Sequence, residues 1–172
     1  MKTLYLLRHA KSSWSKPELR DFDRSLNARG RDAAAEMGHY LADHAMTPAL
    51  ILCSAAQRTR ETLALLLPAF AADTVIRIEA GLYGATREEL LDRLSHVEAG
   101  VASVMVIGHN PGLEDLARSL AASGPKDDLE RLSAKYPTAG LAVIRIDAKR
   151  WDTIAREEGE LERFAVPSNA RL

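Results

Sequence analysis

The 172-residue chain has one cysteine, few aromatic residues and no long apolar run. Cys53 stands alone, so no intramolecular disulfide can form. Because it follows Leu50-Ile51-Leu52, it reads as a small buried hydrophobe. Aromatic residues make up 5% of the chain, so Leu, Ile, Val and Ala must build the core. The longest apolar stretch, around Leu63–Ala72, is broken by Pro68 and is too short to span a bilayer. The run Leu4–Leu7 is too short for a secretory signal and ends at Arg8, so a cytoplasmic protein is expected.

Neither sign of charge is in excess. Lys and Arg number 23 and Asp and Glu 24, for a formal net of −1. That balance argues against a general nucleic-acid binder and against an acidic disordered tail. It conceals an asymmetry. Residues 1–31 hold eight Lys or Arg against three Asp or Glu, a local net of +5, while the remainder carries −6. Such a local surplus suggests an anion site, or more simply a solvated basic loop.

Length and composition (47% hydrophobic, 27% charged) suit one globular domain over residues 1–172. Apolar runs at Leu4–Leu7, Ala49–Ser54, Val75–Ile78 and Val101–Gly108 read as strands. Helical periods lie between them at Ala28–His44, Gln57–Leu67 and Arg87–Leu94, and a further helix follows at Leu113–Ala122. Asn27 is a plausible N-cap of the first helix. Leu141–Ile146 reads as a further strand, and Trp151–Arg156 and Glu160–Val166 as short strands or a hairpin. The alternation predicts a three-layer α/β fold with a mainly parallel central sheet, helices on both faces, and the late strands antiparallel or at an edge.

In such sheets ligands gather beyond the carboxyl ends of the strands. Arg8-His9 closes the first strand, Ser54 closes the second and leads to Arg58, Glu79 follows the third, and His109-Asn110 closes the fourth. Each alone is ordinary, a surface arginine or a turn. Asn110 can cap the following helix, with Pro111 in its first turn. Together, two histidines and two arginines meet at one sheet edge, and arginine binds phosphate in a planar, bidentate way. His39 and His44 are five apart on a helix, wrong for same-face metal binding, and His96 sits at a helix end. There is no H-E-x-x-H, cysteine cluster, Walker loop, dinucleotide fingerprint or G-x-S-x-G elbow. What remains is a pocket expected to need neither metal nor cofactor, whose natural chemistry is phosphoryl transfer through a histidine nucleophile.

Leu7-Arg8-His9-Ala10-Lys11-Ser12 resembles the R-H-G signature of the histidine phosphatase (phosphoglycerate-mutase-like) superfamily. Ser54-Ala55-Ala56-Gln57-Arg58, followed by Thr62, resembles its second-arginine segment, and Gly108-His109-Asn110-Pro111-Gly112 its second-histidine segment. Asp21-Phe22-Asp23-Arg24 and Leu26-Asn27-Ala28-Arg29-Gly30 look most like the SixA-like phosphohistidine phosphatases. The resemblance implies a phosphoglycerate-mutase-like fold and a phosphohistidine intermediate on His9. It also implies oxygen clamping by Arg8 and Arg58, and hydrogen bonding from His109 as an imidazolium. Asn110 and Ser12 are expected near the phosphate. Ala10 stands where the family usually has glycine. The family's carboxylic general acid is matched by position to Glu79, with Asp21 and Asp23 as alternatives. The substrate is a phosphorylated protein or a small phosphorylated molecule. A mutase and a non-catalytic phospho-ligand module are the competing readings. The segments Ser13–Arg24 and Ser123–Pro137 are expected to border the opening, on a protein taken to be a monomer with no nucleic-acid or membrane partner.

Overall fold

The computed structural model describes residues 1–170, with Arg156 by its backbone only. Seven strands form one sheet: β1 (Lys2–Arg8), β2 (Leu50–Ser54), β3 (Val75–Glu79), β4 (Ser103–Gly108), β5 (Ala121–Ser123), β6 (Leu141–Ile146) and β7 (Gly159–Ala165). Their order across the sheet is β3-β2-β4-β1-β6-β7-β5. All neighbouring pairs are parallel except those made by β6, which runs against both β1 and β7. The antiparallel strand therefore lies inside the sheet, not at its edge.

Five helices cover the two faces: α1 (Ala28–Asp43), α2 (Gln57–Leu66), α3 (Arg87–Ser95), α4 (Gly112–Leu120) and α5 (Lys126–Ala134). The alternation of side chains along the central strands divides the core in two. Leu4, Leu6, Leu50, Leu52, Val104 and Val106 pack with Leu90 and Leu94 of α3 and Leu113, Leu116 and Leu120 of α4. Leu7, Ile51, Cys53, Met105 and Ile107 pack on the other face with Ala34, Met37 and Leu41 of α1 and Leu63 and Leu66 of α2. Because β1, β2 and β4 are covered on both faces, they read as unbroken apolar runs. Burial pushes the Cys53 thiol up to about 12, so it stays a neutral core side chain. Among the described residues no helix is long and apolar enough to cross a membrane.

Two elements differ from expectation. Trp151–Arg156 is a 3-10 helix, not a strand. Trp151 and Ile154, both 1% exposed, are three apart and share a face in that geometry, and Trp151 Nε1 donates to the carbonyl of Val101 at 2.8 Å. Within the segment Ser123–Pro137, Lys126–Ala134 forms α5, with Asp127 and Asp128 in its first turn and Arg131 in its last, as the helix dipole favours.

The β1–α1 connection is pinned closely to the fold. Asn27 Oδ1 accepts from the Gly30 N–H at 2.8 Å and caps α1. Gly30 then passes so near the chain that a Cβ there would sit 2.0 Å from the carbonyl oxygen of Lys11. Gly112, which opens α4, meets Ala85 just as closely, at 1.9 Å. Gly30→Ala is therefore expected to destabilise the fold by about 2 kcal/mol, the cost of forcing atoms into a filled space, read as a lower urea midpoint at unchanged m-value.

Candidate active site

The three neighbouring strands β2, β4 and β1 end side by side, with Arg8 in register with Gly108 and Cys53 with Ile107. Arg8 and His9 leave β1, Arg58 stands in the first turn of α2, and His109 follows β4. They line a cavity of about 280 Å³, together with Ser12 and Asn110. Lys11, Trp14, Arg24 and Thr138 complete its wall. The His9 and His109 rings lie 5.3 Å apart, centroid to centroid.

His9 is held in one tautomer. Its Nδ1 lies 2.7 Å from the carbonyl of Ala10, so Nδ1 carries the proton and donates, and Nε2 keeps its lone pair. Burial, and after it the charges of His109, Arg58 and Arg8, lowers the ring's pKa to about 3. The ring is therefore neutral at physiological pH. Ala10 is fully buried and is not among the positive-φ residues, so the methyl group in place of glycine causes no backbone strain. Its N–H donates to Thr62 Oγ1 at 3.0 Å, while the Thr62 hydroxyl donates to the carbonyl of Arg58 at 2.7 Å. One hydroxyl thus ties the loop after β1 to the helix that carries the second arginine. The N–H of Ala139, whose φ is 60°, lies 3.0 Å from the carbonyls of both Arg8 and His9.

Three guanidinium groups converge on this cavity. Arg8 Nη1 donates to the carbonyl of Tyr136 at 2.9 Å. Arg58, 6% exposed, donates to the carbonyl of Asp21 at 2.7 Å and to Asp21 Oδ2 at 3.0 Å. Arg24, 8% exposed, donates to Asp21 Oδ1 at 2.9 and 3.1 Å and to Ser12 Oγ at 2.5 Å. The Tyr83 hydroxyl also donates to Asp21, at 2.6 Å. The buried Nε atoms of Arg8 and Arg58 have no protein partner. Burial lowers the pKa of Arg8, which Arg58 depresses further. An anion would supply the partners these groups lack.

His109 Nδ1 lies 3.4 Å from Arg58 Nη2, a donor, which places the ring proton on Nε2, 2.7 Å from Ser54 Oγ. Burial, then Arg58, lowers the pKa of His109 to about 4. His109 is therefore a neutral imidazole in this structure. Asn110 does not cap α4. Its Nδ2 donates to the Tyr136 carbonyl at 3.2 Å, and α4 begins at Gly112 after an Asn110–Pro111 peptide in the cis form.

Of the carboxylates considered as general acid, Glu79 does not reach the cavity. It pairs through both oxygens with Arg93 of α3, at 2.6 to 3.1 Å. Asp23 pairs with the exposed Arg20 at 2.8 Å. Asp21 does adjoin the site, but the Tyr83 hydroxyl, with Arg24 and Arg58, lowers its pKa to about 2. In this structure it is ionised and anchors Arg24 and Arg58. The outer histidines stay local: His44 Nδ1 donates to the carbonyl of Tyr40 and His96 Nδ1 to that of Asp92. Arg24 and Tyr83 are the functional candidates that residue reasoning did not single out. The Asp21–Arg24 motif was their one signal.

A family model of the histidine phosphatase superfamily (branch 1) matches residues 4–83. The uncharacterized protein Rv1276c of Mycobacterium tuberculosis is 35% identical over 164 residues, covering 94% of this chain and 99% of its own. A crystal structure of a proposed phosphohistidine phosphatase SixA from Agrobacterium tumefaciens is 34% identical, with a TM-score of 0.81 and 96% and 98% of the two chains covered. A corresponding protein from Nakamurella is 28% identical, with a TM-score of 0.79 and coverage of 97% and 96%. The same seven-stranded fold is shared with a SixA structure complexed with tungstate, at 20% identity and a TM-score of 0.71.

The two depressed histidines have a consequence for stability. Unfolded histidine titrates near pH ~6.5, whereas the folded site titrates far lower. Above that pH neither state binds the protons. Below it, the unfolded chain takes up protons that the folded site refuses. Unfolding free energy is therefore expected to fall from pH 7 to pH 5, by at most about 1.4 kcal/mol per unit for each histidine. Inorganic phosphate should reduce the loss by binding the folded state. Urea unfolding at the two pH values tests this, and a flat profile without anion would contradict the neutral pair.

Proposed function

The chain belongs to the histidine phosphatase superfamily, and we propose that it is a metal-independent phosphatase that acts on phosphohistidine carried by a protein. The carrying observation is a neutral, tautomer-fixed His9 in a cationic cavity whose lining has no carboxylic acid. His9 Nε2 attacks phosphorus in line. The bond from phosphorus to the leaving nitrogen breaks and its electron pair goes to that nitrogen; with a proton already on the substrate ring's other nitrogen, the ring departs as neutral imidazole and the phosphoryl group remains on His9. Water then attacks phosphorus, the bond to Nε2 breaks, and phosphate leaves.

The chain's other groups answer the charge of the transferring group. Arg8 and Arg58 bind its non-bridging oxygens, preorganised by the Tyr136 carbonyl and Asp21. As the dianion arrives it offsets the cations that depress His109. Ser54 Oγ can then donate to Nε2, and a proton on Nδ1 can face the phosphoryl oxygens. Ser12 acts through Arg24, its hydrogen-bond partner, and Asn110 through the carbonyl of Tyr136.

The state of Asp21 and the position of Glu79 bear on the substrate. An alkoxide leaving group needs a proton in the transition state. Imidazole, whose conjugate acid has a pKa of roughly 6.5, needs far less help at neutral pH. A site whose neighbouring carboxylates are ionised or turned away therefore favours phosphoramidates over ordinary phosphate esters. The solved SixA relatives, proposed phosphohistidine phosphatases, support the same substrate class.

Phosphohistidine protein, phosphoserine peptide and small phosphoesters, assayed side by side, test the reading. Phosphohistidine should give the highest kcat/KM, and the assignment fails if it is the poorest. His9→Ala should abolish turnover, and Arg58→Ala should lower it about 10²–10³-fold, as for loss of one preorganised donor. An acid-labile phosphate trapped on the wild-type protein and absent from His9→Ala identifies the nucleophile. Absence of turnover on every substrate would favour the binding-module reading. Interconversion of phosphoglycerates would favour the mutase.

A further inference from the structure

In-line attack from His9 places the leaving group on the opposite side of phosphorus from that ring, against whatever lines the rest of the cavity. Among the described residues Trp14 is the one apolar ring lining the cavity, and it is 74% exposed. An indole so open to water is normally free to turn. Here one of its faces is taken, because the Arg24 guanidinium lies over the ring at 3.6 Å from the centroid. Arg24 itself is buried and held by Ser12 and Asp21. A fixed cation thus holds a large aromatic surface in place at the rim, with its second face available.

We propose that Trp14 forms a stacking subsite for the leaving group, selecting substrates in which the departing atom belongs to a planar ring such as the imidazole of phosphohistidine. The proposal rests on the phosphatase reading above and deepens it. The floor of the cavity is built from cations and hydrogen-bond donors, suited to the phosphoryl group and indifferent to what it is attached to. A preheld aromatic face adds discrimination between leaving groups at little ordering cost. Trp14 touches substrate only at the ring. Its link through Arg24 and Asp21 to Arg58 keeps the platform in register with the phosphate clamp.

The test compares two substrates that both break a phosphorus–nitrogen bond, phosphohistidine and phosphoramidate. The second has no ring. In Trp14→Ala, the ratio of their kcat/KM values should fall about two- to tenfold, the worth of one aromatic contact, mainly through the KM for phosphohistidine. Trp14→Phe should restore most of the ratio, and Trp14→Leu should not. An unchanged ratio overturns the proposal, whether both activities fall together through Arg24 or neither moves. Failure of the wild-type protein to hydrolyse phosphohistidine at all is a different result, and it overturns the phosphatase reading itself.

Discussion

Three guanidinium groups, those of Arg8, Arg24 and Arg58, crowd one small cavity, and Asp21 is the only carboxylate within ion-pair distance of any of them among the described residues. Much of the site follows from that imbalance. Removing cations from water is costly unless each finds hydrogen-bond partners. The protein supplies backbone carbonyls at Tyr136 and Asp21, and one carboxylate shared between two arginines. It stops short of neutrality. The residual positive field, added to burial, keeps both histidines uncharged and leaves two guanidinium nitrogens without partners. An anion would complete this arrangement, so a preference for negatively charged ligands follows from the charges the protein itself supplies.

Precision comes from the loop after β1. Ser12 forms an isolated bridge to Leu26, Asn27 caps α1, and Gly30 presses against Lys11. These contacts close the loop on itself before α1 begins. The chain between them is then free to fold its 3-10 turn, Asp21–Asp23, across the mouth, where Asp21 reaches Arg58. The basic surplus of the N-terminal segment divides accordingly. Arg8 and Arg24 face inward, while Lys16 and Arg20 remain in solvent.

The strand ends and the residues on them were legible because they depend on local pattern. Continuous apolar runs mark strands buried on both faces, and Arg8, Arg58 and His109 follow those runs directly. Glu79 shows where that logic stops. It does close a strand, but β3 is at the edge of the sheet, with β2 and β4 between it and β1, and Arg93 of α3 claims the carboxylate. Strand order is a long-range property, and no local spacing encodes it. The anchoring part of Asp21 was hidden for a related reason, since its partners Arg58 and Tyr83 are distant in sequence. The helix at Lys126–Ala134 buries Leu132 alone and so shows no apolar period, and the 3-10 turn at Trp151 is only six residues long. A short element with two buried residues three apart is as readable as a loop or a strand until its packing is known.

The reversed direction of β6 sets the architecture of the mouth. Because it runs against β1, with Leu141 opposite Leu7, it is the start of this strand, not its end, that adjoins His9. The wall bearing Tyr136 and Thr138 is consequently delivered by the chain that enters the sheet, at the far end of the β4–β6 connection whose first residue is His109. Within that connection α5 lies between β5 and β6 and outside the sheet, so its outer residues can change without shifting the strands. Within such a plan one side of the cavity can be remodelled through the far half of a single connection while the ends of β1, β2 and β4 stay in place.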